Sequence, residues 1–295
     1  MNSIKKTVVA LSLSTFLVGC TTIPSGKFSS FSDSTAAIDE SATTTFQQVR
    51  TGVLQNMIVS APEGRLTPTT FHPSMSVNKE GKEVVPIYDY MEKLSKSFDV
   101  VDRYAKALVA LAGSGSTADI DKAATSLAAS LNTFSKTVPS VTTDEGNAAA
   151  TLADGVGQWA TYAKRKEALI QVLKLGQPAL EQISGSIKRE TPNFLQYIDG
   201  LESNYLAYAN EARKEFTQYT EQRFNFDTQT AQQLTTFDNI RVAITKLQQA
   251  ADKLPAANTD LLNSVNSDDL SIANLKSFVQ SAQDLKSFYT SLPTK

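Results

Sequence analysis

The sequence predicts an all-α protein: an elongated antiparallel helical bundle with one irregular loop and a flexible N-terminal tether. Three observations predict it. Apolar residues recur at three- and four-residue steps through most of the chain, the period of an amphipathic helix. The 295 residues are 41% hydrophobic and 20% charged, which supplies a core without the charge excess of a disordered chain. No stretch outside one loop alternates as strands do, so an α/β solute-binding fold is not expected.

The first twenty residues, MNSIKKTVVALSLSTFLVGC, have the layout of a leader. Lys5 and Lys6 form a positive start, and Thr7 to Val18 is an apolar run of about a dozen residues, too short to span a bilayer. Gly19 then precedes Cys20, the only cysteine in the chain. Leu17-Val18-Gly19-Cys20 resembles the lipobox of bacterial lipoproteins, Leu-x-Gly/Ala-Cys, at every position. That resemblance implies a signal peptide over 1–19, cleavage before Cys20, a diacylglyceryl thioether on its sulfur and an acyl chain such as palmitate on the new amino group. An alkylated sulfur is no nucleophile, so Cys20 is expected to anchor rather than to catalyse. Several acyl chains make a stable anchor where one does not. Lipoproteins of this type are commonly retained at the inner membrane when Asp follows the cysteine. Here Thr21 follows, and the resemblance implies the outer membrane.

Residues 20–35 are rich in Ser and Thr and are expected to form the tether, with 36–295 as the helical domain. Glu40 falls on the exposed side of a helix carrying Phe46, Val49, Val53 and Leu54. Residues 61–86 contain Pro62, Pro68, Pro73 and Pro86, which forbid a continuous helix. Within this loop Asn78-Lys79-Glu80-Gly81 is placed to turn a short hairpin between Met75-Ser76-Val77 and Val84-Val85. Phe71, His72 and Met75 make the loop a candidate interaction surface.

Seams follow in order. Ile87, Met91, Leu94, Phe98, Val101, Ala105, Leu108 and Leu111 form the first, stopped by Gly113-Ser114-Gly115. Ile120 to Val138 forms the second, stopped by Pro139. Leu152, Val156, Trp159, Ala163, Leu169 and Leu173 form the third, interrupted around Gly176 and Pro178. Thr191-Pro192 has the form of an N-cap and first helical residue, opening a coiled-coil-like seam through Phe194, Ile198, Leu201, Tyr205, Tyr208, Ala212, Phe216 and Tyr219. Leu234 to Leu254 is expected to end at Pro255. The last helix is expected to start at Asp268-Asp269, as N-cap and first-turn charge, and to run through Leu275, Val279, Ala282, Leu285 and Tyr289.

Composition narrows the function. Twenty-eight Lys+Arg against 30 Asp+Glu give a net charge of −2, and removal of Lys5 and Lys6 with the leader leaves −4. That balance lacks the basic footprint of a nucleic-acid binder. His72 is the single histidine, so neither a metal centre nor a histidine-based catalytic triad is expected, and no cofactor motif occurs. Lys164-Arg165-Lys166 reads as a solvated helix face, and Tyr197, Tyr205, Tyr208 and Tyr219 lie near one helix face, read first as large packing residues of a wide bundle and alternatively as the lining of a groove. Glu40-Ser41 ahead of Gly52-Val53-Leu54-Gln55 resembles the catalytic Glu-Ser and Gly-Leu-Met-Gln signatures of lytic transglycosylases, which would make Glu40 an acid on peptidoglycan. The intervening segment and the missing Ala-Tyr-Asn motif depart from that pattern. The expectation is a non-enzymatic envelope protein with a protein partner; a transglycosylase-like enzyme or a helical carrier of a small apolar ligand are the alternatives.

Overall fold

The computed structural model describes residues 23–60, 76–77, 83–84, 86–113, 162–216, 219–266 and 271–292, with isolated positions between 116 and 126. Among the described residues the helices are α1 (Ser25–Ser60), α2 (Pro86–Ala112), α3 (Tyr162–Arg213), α4 (Glu221–Ala251), α5 (Leu254–Asn266) and α6 (Ala273–Ser291). Strands β1 (Ser76–Val77) and β2 (Glu83–Val84) pair antiparallel, Ser76 opposite Val84 and Val77 opposite Glu83. This ladder falls where the short hairpin was expected, with its second strand at Glu83–Val84 rather than Val84–Val85, and Met75 and the turn residues lie outside the described residues. The predicted seams over Ile120–Val138 and Leu152–Trp159 lie outside the described residues or touch only isolated positions of them.

The tether expectation is corrected. Helix α1 begins at Ser25, and Phe28 and Phe31 are fully buried. Buried positions then step by three and four without a break: Phe28, Phe31, Thr35, Ile38, Ala42, Thr45, Val49, Gly52 and Asn56. The seam is hard to see because half of it is small or polar. Burial of the hydroxyls is tolerated because each one donates back along the helix. Thr35 Oγ1 bonds the Ser32 carbonyl at 2.9 Å, Ser41 Oγ that of Ala37 at 2.7 Å, and Thr45 Oγ1 that of Ser41 at 2.8 Å. Small side chains also let neighbours approach closely, and among the described residues α1 packs against each of the other helices. It is the central helix, not a leash.

Contacts along α1 fix the direction of each neighbour. Phe46 meets Tyr88 edge-on at 6.2 Å, while Asp39 lies within the field of Asp99 and Asp102, so α2 runs antiparallel. Arg165 Nη1 donates to the Gly113 carbonyl at 3.1 Å, and Asn56 Nδ2 donates to the Leu201 carbonyl at 2.6 Å. Helix α3 therefore starts at the N-terminal pole of α1 and rises parallel to it. Tyr205 packs on Phe237 at 6.1 Å, which brings α4 back down. Phe31 against Phe278 at 5.2 Å, and the Thr45–Tyr289 hydroxyl pair, place α6 parallel to α1.

Helix α3 corrects two expectations at once. Gly176-Pro178 does not interrupt it and Thr191-Pro192 does not open it; 52 residues form one helix of about 78 Å. Both prolines are exposed, fourteen positions and so about four turns apart on the same face. Each lacks the N–H that would bond the carbonyl four residues earlier, at Lys174 and Lys188, and both of those residues are exposed too. Water can satisfy those carbonyls, so the helix continues through both prolines instead of breaking. Thr191 is buried and donates through Oγ1 to the Ile187 carbonyl at 2.8 Å, the reverse of an N-cap's accepting role.

The C-terminal third holds a helix that the periodicity did not separate. Helix α4 ends at Ala251, a two-residue turn follows, and α5 starts at Leu254. Pro255 belongs to the first turn of α5, where an N–H has no partner to lose, so it starts a helix rather than stopping one. Helix α6 begins at Ala273, with Asp268 and Asp269 outside the described residues. Its first turn is capped from another helix: Asp260 of α5 is buried, its Oδ2 accepting the Leu275 N–H and its Oδ1 the Asn274 amide, both at 3.0 Å.

Candidate functional site

Cys20, Phe71, His72 and Met75 lie outside the described residues. Glu40 is described, and it stands exposed on α1 beside the half-buried Asp39. The four tyrosines do not make one groove. Tyr205 is buried, and Tyr197 is half-buried with its hydroxyl pKa raised by burial and by Tyr88, whereas Tyr208 and Tyr219 face solvent. The register of the seam explains the split: Ala209 rather than Tyr208 continues it, and Leu201 is only half-buried. Arg165, from the basic triplet, meets the C-terminal carbonyls of α2.

One exposed surface stands out at the α3–α4 tip. Arg213 lies twelve residues beyond Leu201, so the hairpin extends roughly 18 Å past the level of Asn56, and α1 itself ends at Ser60. Tyr208 is 46% exposed, Phe224 54% and Tyr219 75%. Contacts at the tip brace the turn that carries them. Arg213 clamps Asp227 with two bonds, 2.7 Å from Nε and 3.1 Å from Nη2, and this guanidinium holds the Asp227 carboxyl below its usual range. Phe216 stacks at a tilt on Phe226 at 5.5 Å, and the Arg223 guanidinium sits 5.7 Å from the Tyr219 ring centre. Thr220 caps α4 by accepting the Arg223 N–H. An aromatic and arginine cluster held on a clamped hairpin has the makeup of a contact surface, since these residue types supply most binding energy at protein interfaces.

A second cluster lies at the edge of the α1–α2 contact, where Asp102 is buried and Asp99, Arg103 and Lys106 reach solvent. Asp102 is 5% exposed, and its Oδ2 accepts Lys106 Nζ at 2.5 Å. Arg103 binds Asp99 through Nε at 2.9 and 3.0 Å. Across from them, burial first, and then Asp102 and Asp99, push the Asp39 carboxyl up to about 6 against the opposing pull of Lys106 and Arg103. Sequence reasoning missed this cluster. Its signal was Asp102, a carboxylate directly beside the apolar seam residue Val101, with Lys106 one turn later. Among the described residues no group of three His, Cys, Asp or Glu is arranged to hold a metal ion, and no helix is long and apolar enough to cross a membrane.

No protein-family model matches the chain, and no curated protein or solved structure matches it.

Proposed function

We propose that this chain is a lipid-anchored protein of the bacterial envelope that works by protein–protein contact, fixed through Cys20 and presenting the α3–α4 tip to its partner. Support for the anchor is the lipobox, Leu17 to Cys20, and Thr21 favours the outer membrane. The observation that carries the interaction reading is the exposure of Tyr208, Tyr219 and Phe224 on the projecting hairpin. Helix α1 starts a few residues after Cys20, so the anchor and the N-terminal pole are close in the chain. The tip occupies the opposite pole, about 72 Å away along α3 if counted from Arg165 to Arg213. A continuous helix of this length separates what is anchored from what is contacted.

The test uses the full-length protein in cells. A photocrosslinking residue at Tyr219 is expected to capture one stoichiometric envelope protein that the same residue at Asn193, exposed mid-helix, does not capture. Identical adducts at both positions, or peptidoglycan fragments alone, would overturn the reading in favour of a wall-acting or wall-tethered protein. In parallel, Cys20→Ala is expected to abolish palmitate labelling and leave the precursor uncleaved; unchanged labelling would remove the anchor.

A further inference from the structure

Building on the partner reading above, we infer that the α3–α4 tip takes a basic protein segment, which sets an arginine or lysine over the Tyr219 ring and brings further cations to Glu215 and Glu221. Residues 208–227 make up the tip, from the last turns of α3 through the first two turns of α4, and they carry three cations against four carboxylates.

All three cations are engaged within the tip. Arg213 holds Asp227 with two bonds, and Lys214 Nζ reaches Glu211 at 2.6 Å. Arg223 lies against the Tyr219 ring, with its Nε 3.9 Å from Asp227 Oδ2. Glu215 and Glu221 remain. Both are exposed, and among the described residues no cation pairs with either. The Lys214–Glu211 pair is open to water and adds little energy, but its charges cancel. What the tip offers outward is therefore aromatic and acidic.

Tyr219 joins the two features. An aromatic face attracts a cation, and Arg223 already takes one side of this ring, 5.7 Å from its centre. The ring is still 75% exposed, so its other face is open to a second guanidinium or ammonium group. Glu215 and Glu221 flank Tyr219 in the chain, four residues before it and two after. Unpaired carboxylates there draw cations toward the ring and repel anions.

Other occupants fit worse. A second copy set tip to tip would bring like carboxylates together with no free cation between them. Anionic lipid headgroups and the acidic groups of a wall polymer meet the same repulsion. A wholly apolar segment would strip water from two carboxylates without pairing them.

The test uses the full-length protein in cells, with a photocrosslinking residue at the exposed Gln222, which leaves Tyr219, Glu215 and Glu221 in place. The adduct is expected to map to a partner segment that carries Arg or Lys close to the linked site. Glu215→Lys is expected to cut its yield several-fold, and Glu215→Lys with Glu221→Gln roughly tenfold. Tyr219→Leu, which keeps apolar bulk but has no ring face, is expected to cut it several-fold as well. Exchanging the mapped partner cation for Glu is expected to restore capture by Glu215→Lys. Circular-dichroism melts matching wild type separate a lost contact from a lost fold. Glu215 lies past the end of α3 and before α4, so Glu215→Lys decides by itself if the other variants melt early. One captured protein whose yield ignores the charge changes, or whose linked segment is acidic or apolar, would overturn the basic-segment inference and leave the contact reading standing. Adducts with lipid or with a second copy of this chain would overturn it too. Capture no greater than from the same residue at Asn193 would overturn both.

Discussion

Tyr104 donates its hydroxyl to Asn258 Oδ1 at 2.6 Å, directly over Gly176. Asn258 passes the connection on, its amide donating to the Leu173 carbonyl at 2.9 Å and to Gln177 Oε1 at 2.8 Å. One buried asparagine thereby ties α2, α3 and α5 together, and burial raises the Tyr104 pKa far enough to keep the hydroxyl a donor at any ordinary pH. A side chain at Gly176 would place its Cβ 2.6 Å from the tyrosine oxygen. Gly176→Ala is therefore expected to destabilise the bundle by about 1–3 kcal/mol, despite alanine's better helix propensity. Tyr104→Phe, which strands Asn258 Oδ1, is expected to cost about 1–3 kcal/mol. Denaturant melts of both variants measure this; a stabilised Gly176→Ala would show that the tyrosine does not pack there.

Phe31 separates a core helix from a tether. Its ring is buried against Phe278, so Phe31→Ala is expected to cost about 3–5 kcal/mol. A thermal melt indistinguishable from wild type would restore the flexible segment that the Ser/Thr composition suggests.

Asp39 gives a pH dependence opposite to that of a salt-bridged carboxylate. Its folded pKa, about 6, lies above the ordinary 3.8, so the folded state binds the proton more tightly than the unfolded state. Stability is then fullest below about pH 4, falls as pH rises through 6, and levels off above it. Two pH units correspond to nearly 3 kcal/mol at most, and the half-exposed position reduces this to about 1–2 kcal/mol. Asp39→Asn is expected to be the more stable protein at pH 7.5 and to converge on wild type near pH 4. Parallel melting curves across that range would contradict the assignment.

The seam of α3 sets the last expectation. Ile198 is fully buried and Leu201 only partly so. Ile198→Asp is expected to unfold the bundle by burying an unpaired charge, at more than about 4 kcal/mol, whereas Leu201→Asp is expected to lower the melting temperature and leave the fold intact. Circular-dichroism melts rank the two; the reverse order would shift the register of the whole helix.

Where a seam was built from large apolar residues, the sequence was enough. Every residue of the first seam from Met91 to Leu111 is buried in α2. The same holds for Phe237, Ile240, Ile244 and Leu247 in α4, and for Leu275, Ala282 and Leu285 in α6. Periodicity reports which side of a helix avoids water, and that is a local property. It was blind at α1, because Thr35, Thr45 and Asn56 are core residues only by virtue of internal hydrogen bonds and of the neighbours that surround them. Proline misled it for a related reason. Pro178 and Pro192 break nothing because they face solvent, and which face is solvent is set by packing.

The sequence by itself determined the all-α class and the apolar seams of α2, α4 and α6, since these depend on residue type and spacing along the chain. Tertiary structure decided the rest. It made α1 the centre of the bundle, joined the two halves of α3, carried Tyr219 and Phe224 to a projecting tip, and buried part of Asp39 within the field of Asp102 and Asp99. Each of these depends on which residues meet across helices, and on the water excluded when they do, and no local pattern encodes that.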